Sequence, residues 1–169
     1  MKNNLINICL LAVVFLVGAL AHARIKVAFL EVYDFNGKLV QYEPESRFGH
    51  SALQVGNLWL QSYPGEGVQL ITFEKLQKRG KVAVILDLPG DISAADYQKY
   101  LGLLFDFYYS WSDDSLYCSE LLAKVLHIGP MPMHFNHAVW PPHYWPLENQ
   151  PGMSPDKLFR ILSGPGPLL

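Results

Sequence analysis

The chain has 169 residues, half of them hydrophobic and 13% aromatic, with a formal charge of -2 at pH 7. This length is typical of one domain. The apolar fraction allows a substantial core and excludes a globally disordered chain. The slightly acidic balance offers no basic surface to nucleic acid or to an anionic membrane, so neither is expected as a partner.

The N-terminal residues have the pattern of an export signal. A short polar region is followed by an almost unbroken apolar run over residues 5–20, and Ala21-His22-Ala23 has the small-x-small pattern of a signal-peptidase site. We expect residues 1–23 to be a signal peptide that is cleaved, leaving one periplasmic or secreted domain at residues 24–169 with no membrane span. The alternative is an uncleaved membrane anchor, for which the run is a little short, since a span needs about 20 residues.

Strand patterns dominate the first half of this domain. The predicted strands are rich in β-branched and aromatic residues and cover residues 25–33, 38–42, 49–55, 58–62 and 68–73. Gly56-Asn57 between the third and fourth of them is typical of a two-residue hairpin turn. Thr72 is an alternative N-cap for a short helix. Residues 81–88 are apolar nearly throughout, which predicts a central strand buried on both faces.

Helices and a long loop follow. Three helices are predicted by apolar spacing and capping residues, over residues 94–108, 115–126 and 155–162. Residues 129–152 are dense in proline, tryptophan and histidine with no clear period, which indicates an ordered loop packed over the domain. Hairpins, a central strand and then helices together predict an α+β fold, with a mainly antiparallel sheet and helices packed on one face.

Cys118 is the first candidate for chemistry. Cleavage of the signal would remove Cys9, so Cys118 would have no intramolecular disulfide partner and would be either a buried inert residue or a reactive thiol. Asp113, Asp114 and Ser115 are possible caps that place Cys118 in the first turn of a helix. Unpaired N–H groups and the helix dipole favour the thiolate there.

A nucleophilic thiol needs a base and a group that orients the base. His50 begins a strand directly after Gly49, and the Gly56-Asn57 hairpin brings Gln61 of the partner strand close to it. Gln61 can accept a hydrogen bond from one imidazole nitrogen and leave the other to face a thiol. Both residues also have a structural interpretation, as a strand-end histidine bonded to a loop carbonyl and a half-buried glutamine.

These segments resemble a known superfamily. Gly49-His50-Ser51-Ala52-Leu53, followed by Gln61, resembles the histidine hairpin of NlpC-type papain-like hydrolases. Tyr117-Cys118-Ser119-Glu120-Leu121 is similar to the cysteine helix of the circularly permuted, YiiX-like branch, in which the histidine precedes the cysteine. The resemblance covers roughly residues 49–126. Members more often carry histidine, glutamate or asparagine at the position of Gln61.

The resemblance implies a permuted papain-like fold and a cysteine hydrolase, an amidase or peptidase that needs no cofactor. It makes Cys118 the nucleophile, His50 the general base and then acid, and Gln61 the orienting group, with the backbone N–H of Cys118 as one oxyanion donor. The implied substrates are peptides, including cell-wall peptides. Lipid-directed acyl transfer or thioester hydrolysis, and a non-catalytic binding protein of the same fold, stay open as alternatives.

The aromatic loop supports two further hypotheses. Three aromatic side chains are predicted to line the substrate cleft, namely Trp140, Tyr144 and Trp145. Four other side chains are an alternative metal-ligand set, namely His134, His137, His143 and Glu148. We expect no metal site, because proline breaks the segment and prevents a helical pair of histidine ligands. The oligomeric state stays open.

Overall fold

Five antiparallel strands form the sheet that positions the site. The computed structural model describes residues 24–164, so the predicted signal peptide lies outside the described residues. The strand order is β4-β3-β2-β1-β5. The strands are β1 Arg24–Glu31, β2 His50–Val55, β3 Leu58–Tyr63, β4 Gly67–Ile71 and β5 Lys81–Pro89. A separate two-stranded ribbon pairs β6 Met131–Pro132 with β7 Pro151–Gly152.

Four α-helices complete the fold of residues 24–164. They are α1 Phe73–Gln77, α2 Ala94–Tyr97, α3 Cys118–Val125 and α4 Pro155–Ser163, with 3-10 turns at Gln98–Tyr100 and Pro142–Leu147. Thr72 caps α1 through its side chain, as the alternative interpretation predicted. Within residues 24–164, no helix has the length and hydropathy that a membrane crossing requires. The coarse α+β prediction is confirmed.

The longer helices share one face of the sheet. Helix α3 packs across β2 and β3, while α4 packs on β5 and on α3. Phe29, Leu53 and Leu121 are fully buried between these layers. Burial of each such side chain stabilises the folded state by about 1.5–3 kcal/mol. The other face is covered in part by α1, whose Leu76 is buried against Trp59. The helices are therefore not confined to one face.

The β2–β3 hairpin has the predicted register. Val55 pairs with Leu58, and Leu53 pairs with Leu60. Gly56 supplies the positive φ of 59° that the two-residue turn requires. This local turn fixes which residues of the two strands lie opposite each other.

Three predicted elements differ from the structure. No strand forms over residues 38–42, where Leu39 makes only an isolated bridge to Tyr33. The strand over residues 81–88 was predicted to be central, but it is β5, an edge strand that pairs only with β1. Its side chains are therefore partly exposed.

The helix over residues 94–108 ends at Tyr97, and the 3-10 turn that follows ends at Tyr100. After Tyr100 the backbone forms hydrogen bonds with the edge strand β4. Val68 N–H donates to Leu103 C=O, and Gly102 N–H donates to Val68 C=O.

Candidate active site

The start of α3 is held firmly where Cys118 begins the helix. The hydroxyl of Ser119 donates to the carbonyl of Met153 at 2.7 Å, and the amide of Met153 donates to the hydroxyl of Tyr117 at 2.8 Å. The hydroxyl of Ser62 on β3 donates to the carbonyl of Leu116. These bonds join the residues on both sides of Cys118 to the sheet and to β7. The thiol position is therefore fixed by two segments outside the helix, β3 through Ser62 and the residue after β7, Met153.

His50 is fixed equally well from its N-terminal side. The backbone amides of Arg47 and Phe48 donate to the two carboxylate oxygens of Asp156, at 2.8 and 3.0 Å. Gly49 then passes so close to Tyr42 that a Cβ there would lie 2.7 Å from the tyrosine ring. Only glycine fits this approach, which explains the Gly-His sequence at the start of β2.

His50 and Gln61 meet as the hairpin predicts. Nε2 of His50 lies 2.8 Å from Oε1 of Gln61, and both side chains are buried. Because an amide oxygen can only accept a hydrogen bond, Nε2 of His50 carries the ring proton. In the neutral ring, Nδ1 is then free to accept a proton from another group. Nε2 of Gln61 is buried with no hydrogen-bond partner among the described residues. An unpaired amide of this kind costs about 1–3 kcal/mol, so the glutamine is not explained by packing alone.

Cys118 lies beside this pair. It is 8% exposed and is a free cysteine. Burial acts to raise the pKa of the Cys118 thiol, but the charge and hydrogen bond of His50 and the backbone N–H of Ser51 outweigh it and hold the pKa below its ordinary value. The three residues predicted as a catalytic set are thus brought together in one place.

A cavity of about 160 Å³ opens beside the thiol. Its walls are mostly apolar and include Phe105, Met133, Phe135 and Trp140. Cys118 and His50 lie in the same wall, so a molecule in the cavity is in reach of both.

The three predicted substrate-binding aromatic residues are placed differently. Trp140 lines the cavity and donates its indole N–H to the carbonyl of Tyr42 at 2.7 Å. Tyr144 is absent from the cavity wall and packs edge-on against Trp140 at 4.8 Å. Trp145, also outside the wall, is 40% exposed and stacks on His137 at 4.4 Å. Contact with a substrate stays a prediction for all three.

The alternative metal ligands do not converge. Nδ1 of His134 pairs with Glu148 at 2.7 Å, while His137 stacks on Trp145 and His143 packs on Tyr144. In the part of the chain that the structure describes, no group of three or more His, Cys, Asp or Glu side chains has the arrangement of metal ligands.

Glu120 is a buried carboxyl group in the same helix turn as Cys118. It is fully buried and lies 3.3 Å from Nζ of Lys124, and it accepts the amide N–H of Ser112 at 3.2 Å. Burial raises the pKa of Glu120 to about 8, against the opposing effect of Lys124. Lys124 also binds Asp113 at 2.6 Å. Asp113, predicted as a possible cap, is thus an ion-pair partner.

Two cavity residues have no signal in the sequence. Tyr109 lines the cavity with a positive φ of 50°, yet its segment has a helical apolar spacing. Such a backbone conformation is unusual for tyrosine and often occurs at functional sites. Arg79 also lines the cavity, from the turn after α1. Contacts between segments far apart in the sequence place both residues in the cavity wall.

Comparison with known proteins gives a fold relation. No protein-family model and no curated protein matches the chain. Among solved structures, the chain matches the crystal structure of the metalloprotein yiiX from Escherichia coli O157:H7, with 22% identity and a TM-score of 0.56. The match covers 79% of this chain and 89% of that one. The chain therefore has a YiiX-like fold. That protein is described as a metalloprotein, and residues 24–164 of this chain contain no group of three or more His, Cys, Asp or Glu side chains arranged to hold a metal ion.

Proposed function

We propose that this protein is a cysteine hydrolase of the permuted papain-like type, acting on an amide bond. The observation that carries the proposal is the buried Cys118 thiol beside His50, whose Nε2 is held 2.8 Å from Oε1 of Gln61. A thiol with a lowered pKa, a base and an orienting acceptor are the parts that nucleophilic catalysis requires.

The mechanism follows from these roles. The Cys118 thiolate attacks the carbonyl carbon, and the negative oxygen of the tetrahedral intermediate accepts a hydrogen bond from the backbone N–H of Cys118. The imidazolium of His50 donates its proton to the departing nitrogen, the C–N bond breaks, and an acyl-thioester remains. His50 then takes a proton from water, hydroxide attacks the thioester, and the C–S bond breaks to release the acid. Gln61 keeps the ring of His50 oriented in each step.

The cavity supports a second candidate on the same residues. Its mostly apolar walls suit an acyl chain, so a lipid-directed thioesterase or acyltransferase would use the same thioester intermediate. In an acyltransferase the second attack comes from an alcohol or amine instead of water. A non-catalytic binding protein would use the cavity without the thiol.

Residues 1–23 have a signal-peptide sequence, and we place the mature domain in the periplasm or outside the cell. Its substrate is then a peptide, a peptidoglycan stem peptide or a lipid-like acyl compound. The mass of the protein recovered from the exported fraction tests this placement, since cleavage leaves Arg24 as the first residue.

Thiol reactivity is the direct test of the catalytic proposal. Iodoacetamide should alkylate Cys118 at pH values well below about 8.5, the usual pKa of a cysteine. The His50→Ala variant should lose this reactivity at low pH. His134→Ala is the matched control, since His134 lines the same cavity but pairs with Glu148. Unreactive Cys118 in the native protein, or equal loss in both variants, contradicts the proposal.

A further inference from the structure

A charged side chain in the cavity wall is not used by the proposed mechanism. Arg79 lines the cavity together with His50, Tyr63 and Pro64. Its guanidinium carbon lies 3.9 Å over the ring of Tyr63, and that ring meets the His50 ring edge-on at 5.6 Å. One aromatic ring therefore separates the guanidinium from the base. The stacking keeps the guanidinium in place at the side of the reacting groups.

The hydrogen bonds of Arg79 are incomplete. Nη2 of Arg79 donates to Glu66, and Nε is buried with no hydrogen-bond partner among residues 24–164. The side chain as a whole is 13% exposed. Guanidinium groups have five N–H donors in a rigid plane, which fit the two oxygens of a carboxylate or phosphate. Nη1 of Arg79 makes no hydrogen bond within residues 24–164 and, unlike Nε, is not buried, so Nη1 is the donor that a ligand in the cavity can meet.

The charges around the cavity leave this end positive. Glu66 is the counterion of Arg79, but the same carboxylate also binds Nζ of Lys75 at 2.8 Å. Glu66 lies outside the cavity wall, and the acidic side chain within the wall, Glu43, is matched by Lys157 at 2.6 Å. Cys118 and His50 together have no net charge, whether as thiol and imidazole or as thiolate and imidazolium. The excess positive charge therefore lies at the Arg79 end.

We propose that Arg79 forms a subsite for an anionic group of the substrate, a carboxylate or a phosphate. This inference rests on the proposed function and refines it, because it limits the substrate to acyl compounds with an anion close to the scissile carbonyl. A peptide with a free carboxylate and a lipid with a phosphate headgroup both meet this requirement. The cavity accepts the apolar part of either molecule, and Arg79 selects the charged part.

Charged alkylating reagents test the subsite. N-iodoacetyl-β-alanine and N-iodoacetyl-aminoethyl phosphate are compared with their neutral partners, the β-alanine amide and N-iodoacetylethanolamine, by the rate at which each modifies Cys118. The anionic member of the preferred pair should react about tenfold faster than its neutral partner, because it gains a charge-assisted hydrogen bond. The preferred pair distinguishes a carboxylate-bearing substrate from a phosphate-bearing one.

Three variants decide the origin of the preference. Arg79→Gln should abolish the preference, so that the anionic and neutral reagents react at the same rate in this variant, and Arg79→Lys should retain part of it. Lys78→Gln is the matched control, because Lys78 is the neighbouring residue, is 72% exposed and loses the same charge. It should behave as the wild type.

The neutral reagents report the proposed function separately. A normal neutral rate with an unchanged anionic preference in Arg79→Gln overturns the subsite and leaves the hydrolase proposal standing. Equal loss of neutral and anionic rates in Arg79→Gln also overturns it, since Arg79 then only supports Tyr63 and His50. Native Cys118 that reacts with none of the four reagents removes the hydrolase proposal, and the subsite with it.

Discussion

Replacement of Gln61 by leucine isolates the role of the orienting group. Leucine has a similar volume but no oxygen. In the wild type, Oε1 of Gln61 accepts a hydrogen bond from Nε2 of His50 at 2.8 Å. In the proposed mechanism the imidazolium loses a hydrogen bond to a charged donor, worth about 1.5–3 kcal/mol. The thiolate of Cys118 then becomes harder to form, and the pH at which alkylation reaches half its maximum rises.

The magnitude follows from two opposing effects. The neutral imidazole also loses its weaker bond to Gln61, worth about 0.5–1.5 kcal/mol, so forming the thiolate–imidazolium pair costs about 1–1.5 kcal/mol more and its equilibrium constant falls about five- to 13-fold. A thiolate with a higher pKa is intrinsically more nucleophilic, and this returns a little under half of the loss on a logarithmic scale. The alkylation rate of Cys118 by iodoacetamide at pH 7 should therefore fall about two- to fourfold.

Stability separates this effect from damage to the fold. Gln61→Leu removes an amide nitrogen that is buried with no partner among the described residues but leaves the buried Nε2–H of His50 without an acceptor. These effects are similar in size and opposite in sign, so the free energy of unfolding in urea should change by less than about 1 kcal/mol. Gln54→Leu, on the strand that carries His50, is the matched control and should leave the alkylation profile as it is. If Gln61→Leu has the wild-type pH profile, Gln61 does not stabilise the reactive pair.

Two further predictions use the same urea-unfolding and alkylation assays on other variants. Because the pKa of Glu120 is raised to about 8 by burial, the folded state keeps a proton that the unfolded state releases near pH 4.5. Between pH 5 and pH 8 the wild type should lose about 2–4 kcal/mol more unfolding free energy in urea than Glu120→Gln, and parallel curves would contradict this. Trp140→Ala should slow labelling by an N-benzyl iodoacetamide several-fold relative to iodoacetamide, because Trp140 lines the cavity. Trp145→Ala should not, and equal effects would refute this distinction.

The pair of His50 and Gln61 was predictable because its cause is local. A two-residue turn at Gly56-Asn57 fixes the register of the hairpin, and a register determines which side chains are neighbours.

The helix was predicted to start at about Ser115 but starts at Cys118, with Tyr117 as N-cap in place of Asp113, Asp114 or Ser115. Cys118 is therefore in the first turn as predicted, although the predicted caps are wrong.

The rest of the cavity was not predictable, because its causes lie far away in the sequence. Residues 98–108 have a helical apolar spacing, but their backbone bonds to β4 are available only after the sheet has formed. That contact gives Tyr109 its place in the cavity wall. Arg79 has no periodic or motif signal at all, and its position depends on the stack with Tyr63. The strand at residues 81–88 was misplaced because an apolar run does not distinguish a central strand from an edge strand packed under a helix.

A neutral orienting group changes where the charge of the site lies. With a carboxylate at position 61, the buried triad would have one net negative charge when the thiolate and imidazolium are formed. Gln61 leaves that pair neutral, so the unmatched charge at the cavity is the positive end at Arg79. An anionic substrate then approaches without repulsion from the triad, and the negative charge that develops on its carbonyl oxygen meets no carboxylate within the triad. A glutamine in the third role is therefore consistent with an anionic substrate, and in Gln61→Glu an ionised carboxylate should weaken the preference for anionic reagents while Arg79 is unchanged.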